Sequence, residues 1–79
     1  MHELSIALSL IEGVEQEARR CGGRVRVVHV RIGNMSGVVK EALAPAFEMA
    51  CAGTELAGAE LRVEDADGRE LELTALEVE

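Results

Sequence analysis

Cysteine is scarce in this chain. Cys21 and Cys51 stand alone, thirty positions apart and with no CxxC spacing, so neither a disulfide framework nor a structural zinc site can be built from them. They read as two small side chains of a reducing compartment. Long apolar runs are missing too. Ser, Glu or Arg interrupts every hydrophobic stretch well before the roughly 18 residues a membrane span needs, and no basic segment precedes an apolar core at the start, so a cytoplasmic location is expected. Positive charge is in short supply: eight Lys and Arg against fifteen Asp and Glu leave a formal charge of -7. That balance repels phosphate backbones and anionic lipid, and argues against nucleic acid or membrane partners.

Catalytic signatures are lacking as well. The Gly33-Asn34-Met35-Ser36-Gly37 turn follows a strand pattern and precedes a helical one, yet it has neither a GxGxxG pattern nor a GK[ST] ending. The acidic residues are spread over what read as exposed faces, not gathered into a carboxylate pair. Only His2 and His29 could serve a Ser or Cys nucleophile as base, and no nucleophile signature surrounds any Ser. His29, which shares its strand face with Arg31, reads as a polar residue of that face and not as a ligand. No enzymatic activity is expected.

What is present is enough apolar residue, 48% of 79, for one modest core and too little chain for two. From Leu4 to Arg20, Leu4, Ala7, Leu8, Ile11, Val14 and Ala18 recur at helical spacing, with Ile6 and Leu10 widening the stripe. Gly22 and Gly23 end this helix, and Gly13 is its weak point, costing about 1 kcal/mol relative to Ala. Arg24 to Ile32 is a strand whose alternation changes phase between Val27 and Val28, which predicts a bulge near that step or burial on both faces. Ser36 is positioned to cap a second helix carrying Val39, Ala42, Leu43, Ala46, Phe47 and Ala50 on one stripe. Pro45 predicts a kink there, or a helix that starts only at the proline.

After Gly53, Leu61 and Val63 alternate with charged residues as a second strand. Asp67-Gly68 reads as a hairpin turn into a third, over Leu71 to Val78, whose phase slips near Ala75. The order α-β-α-β-β predicts an α/β (α+β) two-layer sandwich with two helices on one face of a small three-stranded mixed sheet. It has parallel strands about the helical crossover and a last strand antiparallel to its predecessor, in a single domain spanning residues 1 to 79.

The first three residues carry the chemistry. Met1, His2 and Glu3 place a terminal amine, a backbone amide and an imidazole within one short loop, and Ni(II) favours such nitrogen donors in square-planar or tetragonal geometry. Displacing the amide proton closes two chelate rings; a second amide, at Glu3, or an outside donor would fill the fourth position. Affinity should rise with pH, because each donor must first lose a proton.

MHELSIALSLIE at 1 to 12, RIGNMSGV at 31 to 38, AFE at 46 to 48, AGTELAGAEL at 52 to 61 and GRELELTALEVE at 68 to 79 together resemble the HypA/HybF hydrogenase nickel-incorporation family. The resemblance implies a nickel metallochaperone. It implies that Ni(II) is accepted at Met1, His2 and Glu3, with His2 the essential side chain and Glu3 an adjacent donor or a supporting group. It also implies delivery to the large subunit of nickel-iron hydrogenase, or help with urease maturation in some organisms, alongside a maturation GTPase of the HypB type. An acidic residue that some relatives place at the start of the second helix has no certain counterpart, since Val38 and Val39 stand there. Members of the family carry two CxxC pairs between the second and third strands, where this chain has only Glu64 to Arg69, so no zinc is expected. A competing reading keeps the fold but not the metal: an interaction module that docks on the GTPase or self-associates through a sheet edge, with monomer and homodimer both open.

Overall fold

The computed structural model describes residues 2 to 79. Five elements follow one another: α1 (Glu3–Cys21), β1 (Val25–Gly33), α2 (Lys40–Cys51), β2 (Glu60–Ala66) and β3 (Leu71–Val78). The expected α-β-α-β-β order and two-layer architecture are the ones observed.

The apolar stripe of α1 turns Ala7, Leu10, Ile11 and Val14 inward, and that of α2 turns Leu43, Phe47 and Cys51 inward. These side chains meet Val25, Val28, Val30 and Ile32 of β1 in a single core. Among the described residues no charged or polar side chain is buried, so the core has no polar group whose desolvation must be offset. Gly22, at φ 72, ends α1 in the left-handed region that an L side chain avoids. α2 begins at Lys40 and runs through Pro45 without a break. A start at Pro45 is therefore excluded, and the exposed proline leaves the Glu41 carbonyl, its lost partner, on the outer side of the helix. Ser36 does not cap α2. Its Oγ accepts the N–H of Val38 at 3.2 Å, closing a turn ahead of the helix, and Val39 is the capping residue.

The sheet order is β2-β1-β3, with β1 parallel to β2 and antiparallel to β3. This corrects the expected hairpin at Asp67-Gly68. β2 and β3 run in opposite directions, but β1 lies between them, and residues 67 to 70 cross over its end. The reason is competition: β1 is the most apolar strand and gains most from the central position, paired on both edges, so the local turn preference of Asp-Gly yields to it. The crossing segment is held by Gly33 N–H to Glu70 O, Asn34 N–H to Ala66 O and Met35 N–H to Gly68 O, each 2.8 Å. Gly33 is required there because a Cβ on it would run into the Gly68 carbonyl.

The phase changes in the two strands are register shifts. On β1 the shift falls between Val25 and Val27, making Arg26 the extra residue, so the break lies one step earlier than the alternation implied. Val25 thereby joins Val28, Val30 and Ile32 in the core, and Val27 points to the opposite face, where it is nonetheless buried. On β3 the slip is at Thr74, beside Ala75 as expected, and the Thr74 hydroxyl donates to the carbonyl of His29 at 3.2 Å. The face away from the helices carries a ladder of charges. Arg31 pairs with Glu64 at 2.7 Å, His29 Nε2 with Glu77 at 2.6 Å, and Arg62 with Glu60 at 2.5 Å.

Candidate nickel site at the N-terminus

Both helices lie antiparallel to β1 and so parallel to each other, which brings their N-termini to the same end of the molecule. His2 is the capping residue of α1, with φ -84 and ψ 90, and its imidazole makes no capping hydrogen bond. The ring is exposed. Its carbonyl accepts the first helical bond, from Ile6 N–H at 3.2 Å. The amides of Glu3, Leu4 and Ser5 therefore precede the helical ladder and have no acceptor within it. An exposed imidazole, that of His2, and a main-chain amide outside the helical ladder, that of Glu3, follow one another along the chain. Met1, the third member of the expected set, lies outside the described residues.

Glu3 behaves differently from its two neighbours. Its carboxylate accepts the Val39 N–H at 3.2 Å, capping α2 from across the helix pair. That bond is the main cause holding the Glu3 carboxyl below the usual carboxylate range, with the backbone N–H of Glu3 itself and, more weakly, the charge of nearby His2 adding to it. Of the two roles the family resemblance allowed, adjacent donor or supporting group, the side-chain geometry favours the second. The tie is not visible in sequence, since it joins residues 36 positions apart.

A second clasp adjoins it. Lys40 Nζ, at the first turn of α2, reaches Asp65 Oδ1 at 2.5 Å and Asn34 Oδ1 at 2.9 Å, tying the end of β2 and the 33–36 turn to the same helix start. Sequence reading missed it, because nothing in the local pattern marks Lys40 as more than a solvated charge.

The other metal-capable residues are elsewhere. His29 sits mid-sheet on the face away from the helices, against Glu77, so the sheet separates it from His2. Cys51 is buried in the core and Cys21 is exposed at the end of α1, both as free thiols. Burial, and to a lesser degree the charge of Glu15, pushes the Cys51 thiol up, which keeps it protonated and inert. Among the described residues no three His, Cys, Asp or Glu side chains converge as a metal site would need.

Two helices over a three-stranded mixed sheet, with His2 exposed at the start of α1, make up a small α+β domain. The model of the HypA family, described as hydrogenase/urease nickel incorporation, metallochaperone, matches residues 1–72, and the chain belongs to that family. Among curated relatives, it is 54% identical over 66 residues to the hydrogenase maturation factor HypA of Roseiflexus sp. (strain RS-1), covering 82% of this chain and 54% of that protein. It is 48% identical over 71 residues to the hydrogenase maturation factor HypA of Streptomyces avermitilis, covering 87% of this chain and 54% of that one. The solution structure of the Ni metallochaperone HypA from Helicobacter pylori superposes with a TM-score of 0.75 at 31% identity, over 84% of this chain and 58% of that chain. The chain thus spans about half the length of the curated relatives it matches.

Proposed function

We propose that this chain is a nickel-carrying domain for the maturation of nickel-iron hydrogenase, and of urease where that enzyme is present. Residues 1 to 79 act as one nickel-binding unit without catalysis of its own. Ni(II) is the cargo. The Met1 amine, the His2 amide and imidazole, and the Glu3 amide supply its nitrogen donors, while the Glu3 carboxylate holds the loop against α2. The ion leaves by ligand exchange to a partner, either the HypB-type GTPase or the hydrogenase large subunit. The reading places the chain in the cytoplasm; among the described residues no helix is long and apolar enough to cross a membrane.

The observation that carries this reading is the exposed His2 imidazole, which makes no capping hydrogen bond, beside amides outside the helical ladder. An imidazole in this position costs nothing to turn toward a metal, and the amides lose no helical hydrogen bond when they deprotonate. No zinc is needed for such a site. Calorimetry on untagged protein is expected to give about one Ni(II) per chain, with binding lost in His2→Ala and in a version bearing extra residues before Met1. Full affinity in the extended version would remove the amine from the ligand set. Affinity unchanged in His2→Ala would end the carrier reading altogether.

A further inference from the structure

The two edges of the sheet are unequal. β2 and β3 flank β1, so each turns one row of backbone N–H and C=O groups to the outside. On β2 the Ala66 carbonyl accepts the Asn34 N–H just past the end of β1. Backbone groups alternate sides along a strand, so Glu60, Arg62 and Glu64 turn theirs toward β1 with Ala66, while Leu61, Val63 and Asp65 turn theirs outward. Among the described residues no backbone partner meets that outer row. An unpaired row is a template for another strand unless a bulge or charge blocks it.

β3 is blocked in both ways. Its ladder slips at Thr74, and residues 70 to 79 carry Glu70, Glu72, Glu77 and Glu79 with no Lys or Arg. β2 pairs with β1 in unbroken register, and its central Arg62-Val63-Glu64 becomes its own charge complement when the strand direction is reversed.

We propose that β2 pairs antiparallel with β2 of a second copy of this chain, in the register that sets Val63 opposite Val63. The outward groups of Leu61, Val63 and Asp65 then meet those of Asp65, Val63 and Leu61 of the second copy as hydrogen-bonded pairs. Arg62 stands opposite Glu64 in both directions, at the non-hydrogen-bonded positions where side chains approach most closely. Other registers fail. A slide of two residues sets Arg62 against itself one way and Glu64 against itself the other, and a slide of one sets outward backbone groups against inward ones. Arg62 and Glu64 are both exposed on the open face of the sheet. Val63, on the helix side and 36% exposed, gains a cover.

The pairing merges two three-stranded sheets into one continuous sheet with the helices of both copies on one side. Each pair of helices starts at the end where its own β2 finishes, so the two His2 sites fall at opposite ends of the assembly. Nickel binding and pairing are thus independent, and the inference does not rest on the carrier reading.

Sedimentation equilibrium of the untagged chain tests it, with and without one equivalent of Ni(II). A monomer–dimer equilibrium is expected in both conditions. Arg62→Glu and Glu64→Arg each set like charges opposite one another, and each alone should weaken the dimer at least about tenfold. Mixed in equal amounts, the two variants have opposite charges across every such pair, and dimer should return as the heterodimer. Val63→Pro removes an outward N–H and leaves the ladder to β1 whole, so it should abolish the dimer. Val78→Pro should not, because Val78 precedes Glu79, which bonds inward to Arg24, and its own N–H faces out from the β3 edge. A parent chain that stays monomeric up to about 1 mM overturns the proposal. So does a dimer that survives Val63→Pro or both charge variants, or one that the mixture fails to restore.

Discussion

At the scale of single residues, His2 and Glu3 are neighbours whose chemistry the fold separates. His2 stands at the start of α1 with its ring exposed and making no capping bond, while Glu3 is spent on the N-terminus of α2, where a carboxylate also meets the favourable end of the helix dipole. Glu3→Gln is therefore expected to keep most of the nickel affinity, because an amide oxygen can still accept the Val39 N–H. Glu3→Ala should lower both nickel affinity and melting temperature. Equal loss of nickel in the two variants would instead make the carboxylate a ligand.

The same bond has a pH signature. The Glu3 carboxyl, like that of Glu60 beside Arg62, sits below its ordinary value of 4.5. A depressed folded value means that the stabilisation is complete above the unfolded value and disappears as pH falls through the folded one. Melting temperature should accordingly drop as pH is lowered below about 4.5, and Glu3→Gln should flatten part of that drop.

At the scale of elements, α1 has one correctable weakness. Gly13 lies in its interior, and a Cβ added there would meet nothing within 4 Å. Gly13→Ala is thus expected to stabilise the domain by about 0.5–1 kcal/mol, raising Tm by several degrees without altering nickel binding. Scanning calorimetry checks it. Phe47 is the opposite case, fully buried and the only Phe, Tyr or Trp in the sequence. Phe47→Ala should cost about 3–5 kcal/mol, lowering Tm by more than about 10 °C, or abolish the cooperative transition.

Helix and strand boundaries were legible to within a few residues: the 3.6 period in α1 follows from burial of Ala7, Leu10, Ile11 and Val14 on one face, whereas the alternation of Leu61 and Val63 marks β2 although Leu61 is only half-buried and Val63 is exposed. The α2 cap was not. Ser36 is a good local candidate, but the capping acceptor came from Glu3, on another helix.

At the scale of the whole molecule, the connection between β2 and β3 decides the sheet. A true hairpin would have left β1 at an edge; instead residues 67 to 70 arch over Gly33 and leave β2 and β3 as the two edges. Gly33→Val should disrupt that arch and destabilise the domain more than a surface substitution does, whereas Asp67→Ala, whose residue is exposed, should have little effect. Comparing their unfolding curves separates a turn that directs folding from one that merely permits the crossing.

The sequence alone determined the layer architecture and most of each helix's buried face, because periodic burial is a local property of the chain, although Leu4 and Leu8, expected on the buried stripe of α1, are exposed. The tertiary structure alone decided the central place of β1, the shift of its bulge to Arg26 and the tie from Glu3 to Val39. Each of these results from a competition between segments far apart in the chain, and the winner depends on which arrangement buries the most apolar surface while pairing every backbone group it encloses.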